Sequence, residues 1–320
     1  MIIPTFRNIN FVEDVFIERA LPNKGKILLN IGEKVSSYTK IGYSRNSIRE
    51  LLIPSKFKIE RKFFNSKQVK VGELVASFQN KFLFSPFDGY LENRGTSSVV
   101  VKNPEDYWLI SGVAGTITAA IPSRSVLVKT SGFELKFFAT SQEMCEGVLE
   151  VLPNPSELIE IEFMDKYIKN GIGKIVYTGD YLRKEMLLKA MEVGCEGLIV
   201  SSCDRDTLSL AKENNFFVGV LSGFGRIPVR EKTWRFLKAY RSKYCIVREG
   251  SSNLFISEIG INYKNDSPYN NLRVGLDVIV LDYPYFGWEG KVEAIERENV
   301  RVKIVKIGEE VVTHYQNLIS

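Results

Sequence analysis

Histidine is nearly missing from this chain of 320 residues; His314, six residues from the end, is the single one. Histidine is the usual general base near neutral pH and the commonest metal ligand. A Ser-His-Asp or Cys-His arrangement would have to be built on His314, and a zinc site on cysteines. The cysteines number four, Cys145, Cys195, Cys203 and Cys245, widely spaced and without a Cys-x-x-Cys pair. They read as reduced, buried thiols rather than as a disulfide framework or a metal cage. No catalytic residue, metal ligand or cofactor is therefore assigned. Carboxylate, lysine and tyrosine chemistry stay open.

Long apolar runs are missing as well. None reaches the roughly 18 residues that a membrane span needs, and Met1 to Arg7 lacks the basic start and apolar stretch of a signal peptide. The expectation is a cytoplasmic protein without a membrane span. Neither a G-x-G-x-x-G fingerprint nor a Walker loop occurs. A hydrophobic content of 44% with 25% charged residues is that of an ordinary globular chain. Its length suits two or three domains.

The first 150 residues read as β. Ile31-Gly32-Glu33-Lys34-Val35 recurs forty residues later as Val71-Gly72-Glu73-Leu74-Val75. A second echo pairs Gly89 to Lys102 with Gly115 to Lys129. Short alternating runs between Gly, Pro, Asn and Ser turns predict two related β units packed on each other. Between them stands the turn Ser85-Pro86-Phe87-Asp88-Gly89-Tyr90, in which proline presets φ and Gly89 tolerates a positive one. These residues resemble the barrel-sandwich hybrid of biotinyl and lipoyl carrier domains over about residues 24–130. The carriers hold their modified lysine further from the proline, in a Met-Lys-Met or Asp-Lys-Ala setting. Here the nearest is Lys81, five residues before Pro86, in Gln79-Asn80-Lys81-Phe82. The resemblance therefore implies a relative that carries no cofactor.

Residues 44–70 hold Arg45, Arg49, Lys56, Lys58, Arg61, Lys62, Lys67 and Lys70 against Glu50 and Glu60, eight minus two, or +6. Such an insertion can hold a nucleic acid, and Phe57, Phe63 and Phe64 are interleaved as in some nucleic-acid grooves. The plainer alternative is a short helix from Ser47 to Leu52, then a strand with a solvated face.

Past Pro155 the period changes. Lys174 to Tyr177, Gly197 to Val200 and Phe216 to Leu221 read as short buried strands. Helical spacing covers Tyr181 to Val193, with Gly194 as the C-terminal stop, Asp204 to Glu213 and Glu231 to Arg241. The β-α-β-α-β-α order predicts a small, Rossmann-like parallel sheet in three layers. Ligands bind such sheets at the carboxyl ends of the strands. Asp180 and Asp204 read there as helix N-caps. The better ligand candidate is the loop Ser222 to Pro228 with Arg230: Gly223 and Gly225 leave backbone open, and Arg226 and Arg230 add charge. The alternative is a tight turn into the last helix. This region resembles uncharacterised bacterial proteins with a Gly-Phe-Gly-x-Ile-Pro loop, a resemblance that implies no activity.

The last fifty residues alternate as strands at Val274 to Val280, Gly287 to Ile295, Val300 to Ile304 and Val311-Val312, closing at Asn317 to Ile319. The Gly287-x-x-Gly290-x-Val292-x-x-Ile295 core resembles a KOW-type SH3-like barrel, as in transcription elongation factors and ribosomal proteins. The first-loop glycine of that family is replaced by Asp282-Tyr283-Pro284-Tyr285-Phe286. From residue 271 on, six basic residues face eight acidic ones, giving −2. A nucleic-acid module ordinarily shows a basic excess. Tyr283, Tyr285, Phe286 and Trp288 read instead as anchors for a protein partner, or as the barrel's own plug.

The expected architecture is thus multidomain, β plus α/β: a barrel-sandwich hybrid at 1–150, a small α/β domain at 151–265 and an SH3-like barrel at 266–320. Three functions are open. The first is a non-enzymatic scaffold or adaptor binding proteins through its β modules. The second is an RNA- or ribosome-associated factor using the insertion 44–70 and the barrel. The third is a small-ligand sensor or enzyme at the loop 223–230.

Overall fold

A computed structural model describes the chain outside residues 46–49, 65–66, 80, 86–87, 95–96, 103–105, 143, 153–165, 169, 249, 251 and 262. The architecture is mainly β. Among the described residues, three nine-residue α-helices occur: α1 (Lys184–Glu192), α2 (Arg205–Glu213) and α3 (Glu231–Ala239). No helix there is long and apolar enough to cross a membrane.

A sheet of twelve strands runs through the centre. Four neighbouring strands of it run parallel: Cys145–Val151, Lys174–Tyr177, Gly197–Cys203 and Phe217–Phe224. Side-chain alternation along them sorts two cores. Ile175 and Tyr177 point to the face covered by α3 with Trp234 and Leu237. Val176 points to the other face, under Met186, Leu187 and Ala190 of α1 and Ala211 of α2. Helix α1 stops where expected. Gly194, at φ +76°, follows the cap, and the N–H groups of Gly194 and Cys195 bond back to the carbonyls of Met191 and Ala190. The helix starts later than its apolar spacing suggests, because Tyr181–Leu182 pairs with Ser202 and Cys203 as a short strand.

The sheet continues antiparallel through Tyr244–Val247 and Asn253–Ser257 to the long strand Ser125–Lys136, which also pairs with Ile9–Ala20. The three expected modules are therefore not consecutive blocks. Cys145–Val151 lies inside the central sheet, and the boundary drawn at 150 falls between its last two residues. Residues Ile2–Pro4 pair with Tyr269–Asn271 and place Ile3 in the C-terminal core.

The internal repeat is repeated bond for bond. Gly32 N–H donates to the Ile117 carbonyl, and Ile117 N–H to that of Glu33. Gly72 N–H donates to the Ser85 carbonyl, and Ser85 N–H to that of Glu73. Glu33 accepts from the backbone N–H of Asn30, and Glu73 from that of Lys70. The second unit forms an outgrowth whose base is the pairing of Arg45 with Asp106. Two small sheets there enclose Ile53, Phe63, Val69, Val75, Ala76, Leu91 and Val100. Gly89 opens the strand Gly89–Arg94 and pairs with Lys102 and Val69, so it belongs to the sheet; Pro86 and Phe87 of the same turn lie outside the described residues. The helix considered over Ser47 to Leu52 is not there from residue 50 on. Glu50–Ile53 is a strand paired with Val101 to Ser98, and residues 47–49 lie outside the described ones. Apolar partners across the ladder outweigh a weak helical preference there.

The C-terminal unit is a five-stranded antiparallel sheet. Its order is Glu310–His314, Asn299–Ile304, Trp288–Glu296, Asp277–Val280 and Leu318–Ile319. Val278, Val280, Val292, Val300, Val302, Ile304 and Leu318 fill its core.

Candidate functional site

The loops at the carboxyl ends of the parallel strands meet the C-terminal sheet on one side, through Asp180 and Ile227, while Asp204, Gly225 and Arg226 stay exposed. Three loops are tied together first. Ser202 donates both its N–H and its hydroxyl to the Asp180 carbonyl, and its hydroxyl oxygen accepts from Ile227 N–H. Ser201 and Ser222 share a hydroxyl bond of 2.9 Å, and Gly225 N–H reaches the Cys203 carbonyl. Asp180 then joins loop to sheet. One carboxylate oxygen accepts from Val229 N–H at 2.8 Å, and the other pairs with Lys306 at 3.0 Å.

Asp180 is therefore not a helix N-cap, and the capping residue of α1 is Arg183. Asp204 does hold the cap position of α2, but its side chain makes no cap bond. It accepts the Tyr181 hydroxyl instead. Tyr181 is pushed up to about 12, by burial first and Asp204 second. Arg226 stands 5.5 Å over the Tyr181 ring. A cavity of about 150 Å³ remains between Asp180, Tyr181, Arg226, Pro228, Trp288 and Lys306.

The loop from Gly223 to Arg230 and the aromatic loop from Tyr283 to Trp288 thus meet. A Cβ on Gly287 would lie 2.7 Å from Ile227 Cγ2, so only glycine permits this approach. The four aromatic candidates divide. Tyr285 and Trp288 pack against the core of the C-terminal sheet, in edge contact 6.4 Å apart, and Tyr285 donates to Glu309. Tyr283 and Phe286 point outward, 90% and 55% exposed.

On the other side of the seam, Arg230 lies 3.2 Å from the centre of the Phe6 ring. Burial lowers its guanidinium to about 9, against the pull of Glu289. Glu289 Oε2 accepts from Glu231 N–H at 3.1 Å, which caps α3 from the C-terminal sheet. Burial raises the Glu289 carboxyl nonetheless.

The remaining candidates stand apart from this seam. Lys56, Lys58 and Arg61 are exposed, and Lys62 pairs with Glu73 at 2.8 Å. Arg45 is described by its backbone alone, and Arg49 lies outside the described residues. Two of the three aromatics read as a stacking surface belong to the core: Phe63 is buried and Phe57 packs against the same cluster, while Phe64 is described by its backbone alone. Three cysteines are buried and Cys145 is half-buried. Burial pushes Cys195 and Cys203 up to about 11 and raises Cys145 and Cys245 as well, which makes all four poor nucleophiles. His314 accepts from Gln316 N–H through Nδ1 and meets Glu298 at 3.3 Å through Nε2. Among the described residues, no group of His, Cys, Asp or Glu is arranged to hold a metal.

Sequence reasoning missed Phe6, Glu289 and Lys306 and misplaced Asp180. Each acts across more than fifty residues of chain, and no local pattern marks it.

No family model matches the chain, and no curated protein sequence does. A solved structure described as the RNA-processing inhibitor RraA from Thermus thermophilis is similar to part of it. It is 13% identical over 39% of this chain and 83% of that one, with a TM-score of 0.28. A likeness at that level carries no argument.

Proposed function

We propose that this protein is a non-enzymatic scaffold or adaptor that binds other proteins through its β modules. The finer fold reading goes with it. The repeated units around Gly32 and Gly72 are read as a barrel-sandwich hybrid without a cofactor. The parallel strands with α1 to α3 are read as a small Rossmann-like α/β domain, and the C-terminal sheet as a KOW-type SH3-like barrel.

One observation carries the functional reading: Tyr283 and Phe286 stand out from a loop that Tyr285 and Trp288 brace from within. Exposed aromatics on a braced loop lose little side-chain entropy on binding, which suits them as anchors for a protein partner. The balance of −2 over residues 271–320 disfavours phosphate backbones there. With Phe57 and Phe63 packed inward, two of the insertion's three aromatics are withdrawn from stacking, which makes the RNA reading the weaker one.

The test is affinity capture of the full chain from its native cell, with and without nuclease, beside the double variant Tyr283→Ala, Phe286→Ala. Partners should survive nuclease and be lost with the variant, whose unfolding midpoint should not move. Partners lost on nuclease treatment favour the RNA reading, and partners retained by the folded variant refute the aromatic anchor.

A further inference from the structure

A cleft of about 470 Å³ separates the start of α3 and the segment Phe6 to Ile9 from the C-terminal sheet. Its charged lining splits into satisfied and unsatisfied groups. Asp266 pairs with Lys232, Glu231 with Arg235 and Asp277 with Lys291, while Glu289 is engaged by Glu231 N–H. Every acid in the wall has a partner. Two of the cations, Arg7 and Arg230, have neither a hydrogen-bond acceptor nor an ion-pair partner among the described residues.

We propose that this cleft binds a small organic oxyanion, a carboxylate or a phosphate ester, whose charge is taken by Arg230 and Arg7 and whose apolar body rests on Ile279 and Val305.

Arg230 is the reason to expect an anion rather than a cation or a neutral ligand. Its flat face lies on the Phe6 ring, which leaves the N–H groups of its edge for a ligand. A guanidinium edge presents paired donors that fit the two oxygens of a carboxylate or phosphate. Half-buried and without an acceptor among the described residues, those donors stay free to meet an anion. Burial lowers Arg230 to about 9, and the nearby Glu289 offsets that only in part. The volume is that of a small-molecule site. Of the loop read from the sequence, Arg230 lines this cleft, while Gly223, Gly225 and Arg226 do not. The cleft does not depend on the aromatic anchor.

The test uses the full chain with three probes, inorganic phosphate, benzoate and phenyl phosphate, and neutral benzyl alcohol as control. Benzoate or phenyl phosphate should raise the unfolding midpoint in a saturable way and outdo phosphate, while benzyl alcohol leaves it unchanged. Comparing the two aromatic anions decides between carboxylate and phosphate. Arg230→Gln should weaken binding by about tenfold or more, the usual loss for a charged hydrogen-bonded contact. Arg230→Lys, which keeps the charge but not the fork, should fall between. If Arg230→Gln does not fold, the exposed Arg7→Gln must itself weaken binding. The proposal is overturned if no anion shifts the wild-type midpoint, if benzyl alcohol does as well, or if the folded Gln variants bind as tightly as wild type.

Discussion

At the scale of single residues, the hydroxyl of Tyr177 is the clearest misfit. The side chain is fully buried beside Trp234, and its oxygen has no hydrogen-bond partner. Burial and Asp180 both hold the phenol well above its usual range. Removing a buried, unpartnered hydroxyl relieves its desolvation while the ring keeps its packing. Tyr177→Phe should therefore stabilise the protein by about 1 kcal/mol, read as a raised urea midpoint at unchanged m-value. A lower midpoint would show that the hydroxyl has a partner after all. The thiols follow the same logic in reverse. Burial keeps them protonated, so iodoacetamide at pH 8 should label the native protein far more slowly than the unfolded one. Rapid labelling of the native form would contradict their burial. The burial of Cys195, Cys203 and Cys245 was read from their wide spacing without a Cys-x-x-Cys pair, while Cys145 is half-buried. The role of Asp180 was not legible: an aspartate just before a helical pattern looks like a cap, and only the fold brings Val229 and Lys306 to it.

At the scale of elements, three of the parallel strands, the C-terminal strands and all three helices were legible because apolar period is a local property, while Ile9–Ala20, Cys145–Val151, Tyr244–Val247 and Asn253–Ser257 were not placed. The repeat was legible for the same reason, down to the Gly-Glu pair that fixes its turn. What failed was local preference met by long-range pairing, as at Glu50–Ile53 and Tyr181–Leu182, where the sheet decides. Lys81 belongs to this scale too. It opens the strand Lys81–Phe84 opposite Phe78, exposed, at the edge of its sheet. Its spacing from Pro86 is not that of a carrier lysine, so native protein should show no lipoyl or biotinyl mass over Phe78 to Tyr90. Either mass on Lys81 would make the outgrowth a carrier. The loop that joins Asp180 to Val229 makes a further claim. Asp180→Ala strips the acceptor from Val229 N–H and from Lys306, and should cost about 1–3 kcal/mol. Lys306→Ala leaves the Val229 bond in place, and the loss of its half-exposed ion pair should cost less than about 1 kcal/mol. Equal losses would mean that the ion pair, not the backbone bond, holds the seam.

At the scale of the whole molecule, polar ties join the C-terminal sheet to the centre beside the contact of Ile227 with Gly287, and one of them depends on pH. Glu289 reaches from that sheet to the N-terminus of α3. Burial raises its pKa, while the Glu231 N–H and Arg230 lower it without prevailing. A carboxyl whose folded-state pKa exceeds its unfolded one holds its proton longer in the folded protein. Its contribution is thus fully present below the ordinary glutamate range and is lost as pH rises through the raised value. Glutamine in its place can still accept from Glu231 N–H, carries no charge to desolvate and does not titrate. Glu289→Gln should accordingly match wild type at pH 4 and exceed it at pH 7, in urea midpoints taken across that span. The comparison of the two proteins cancels the titration of every other group. A variant less stable than wild type at pH 7, by a margin that grows with pH, would mean that the attraction of Arg230 and the helix end outweighs the burial of the charge. Glu289 would then be a charged clamp that locks the sheet in place at neutral pH, the opposite of the pH-weakened tie argued here.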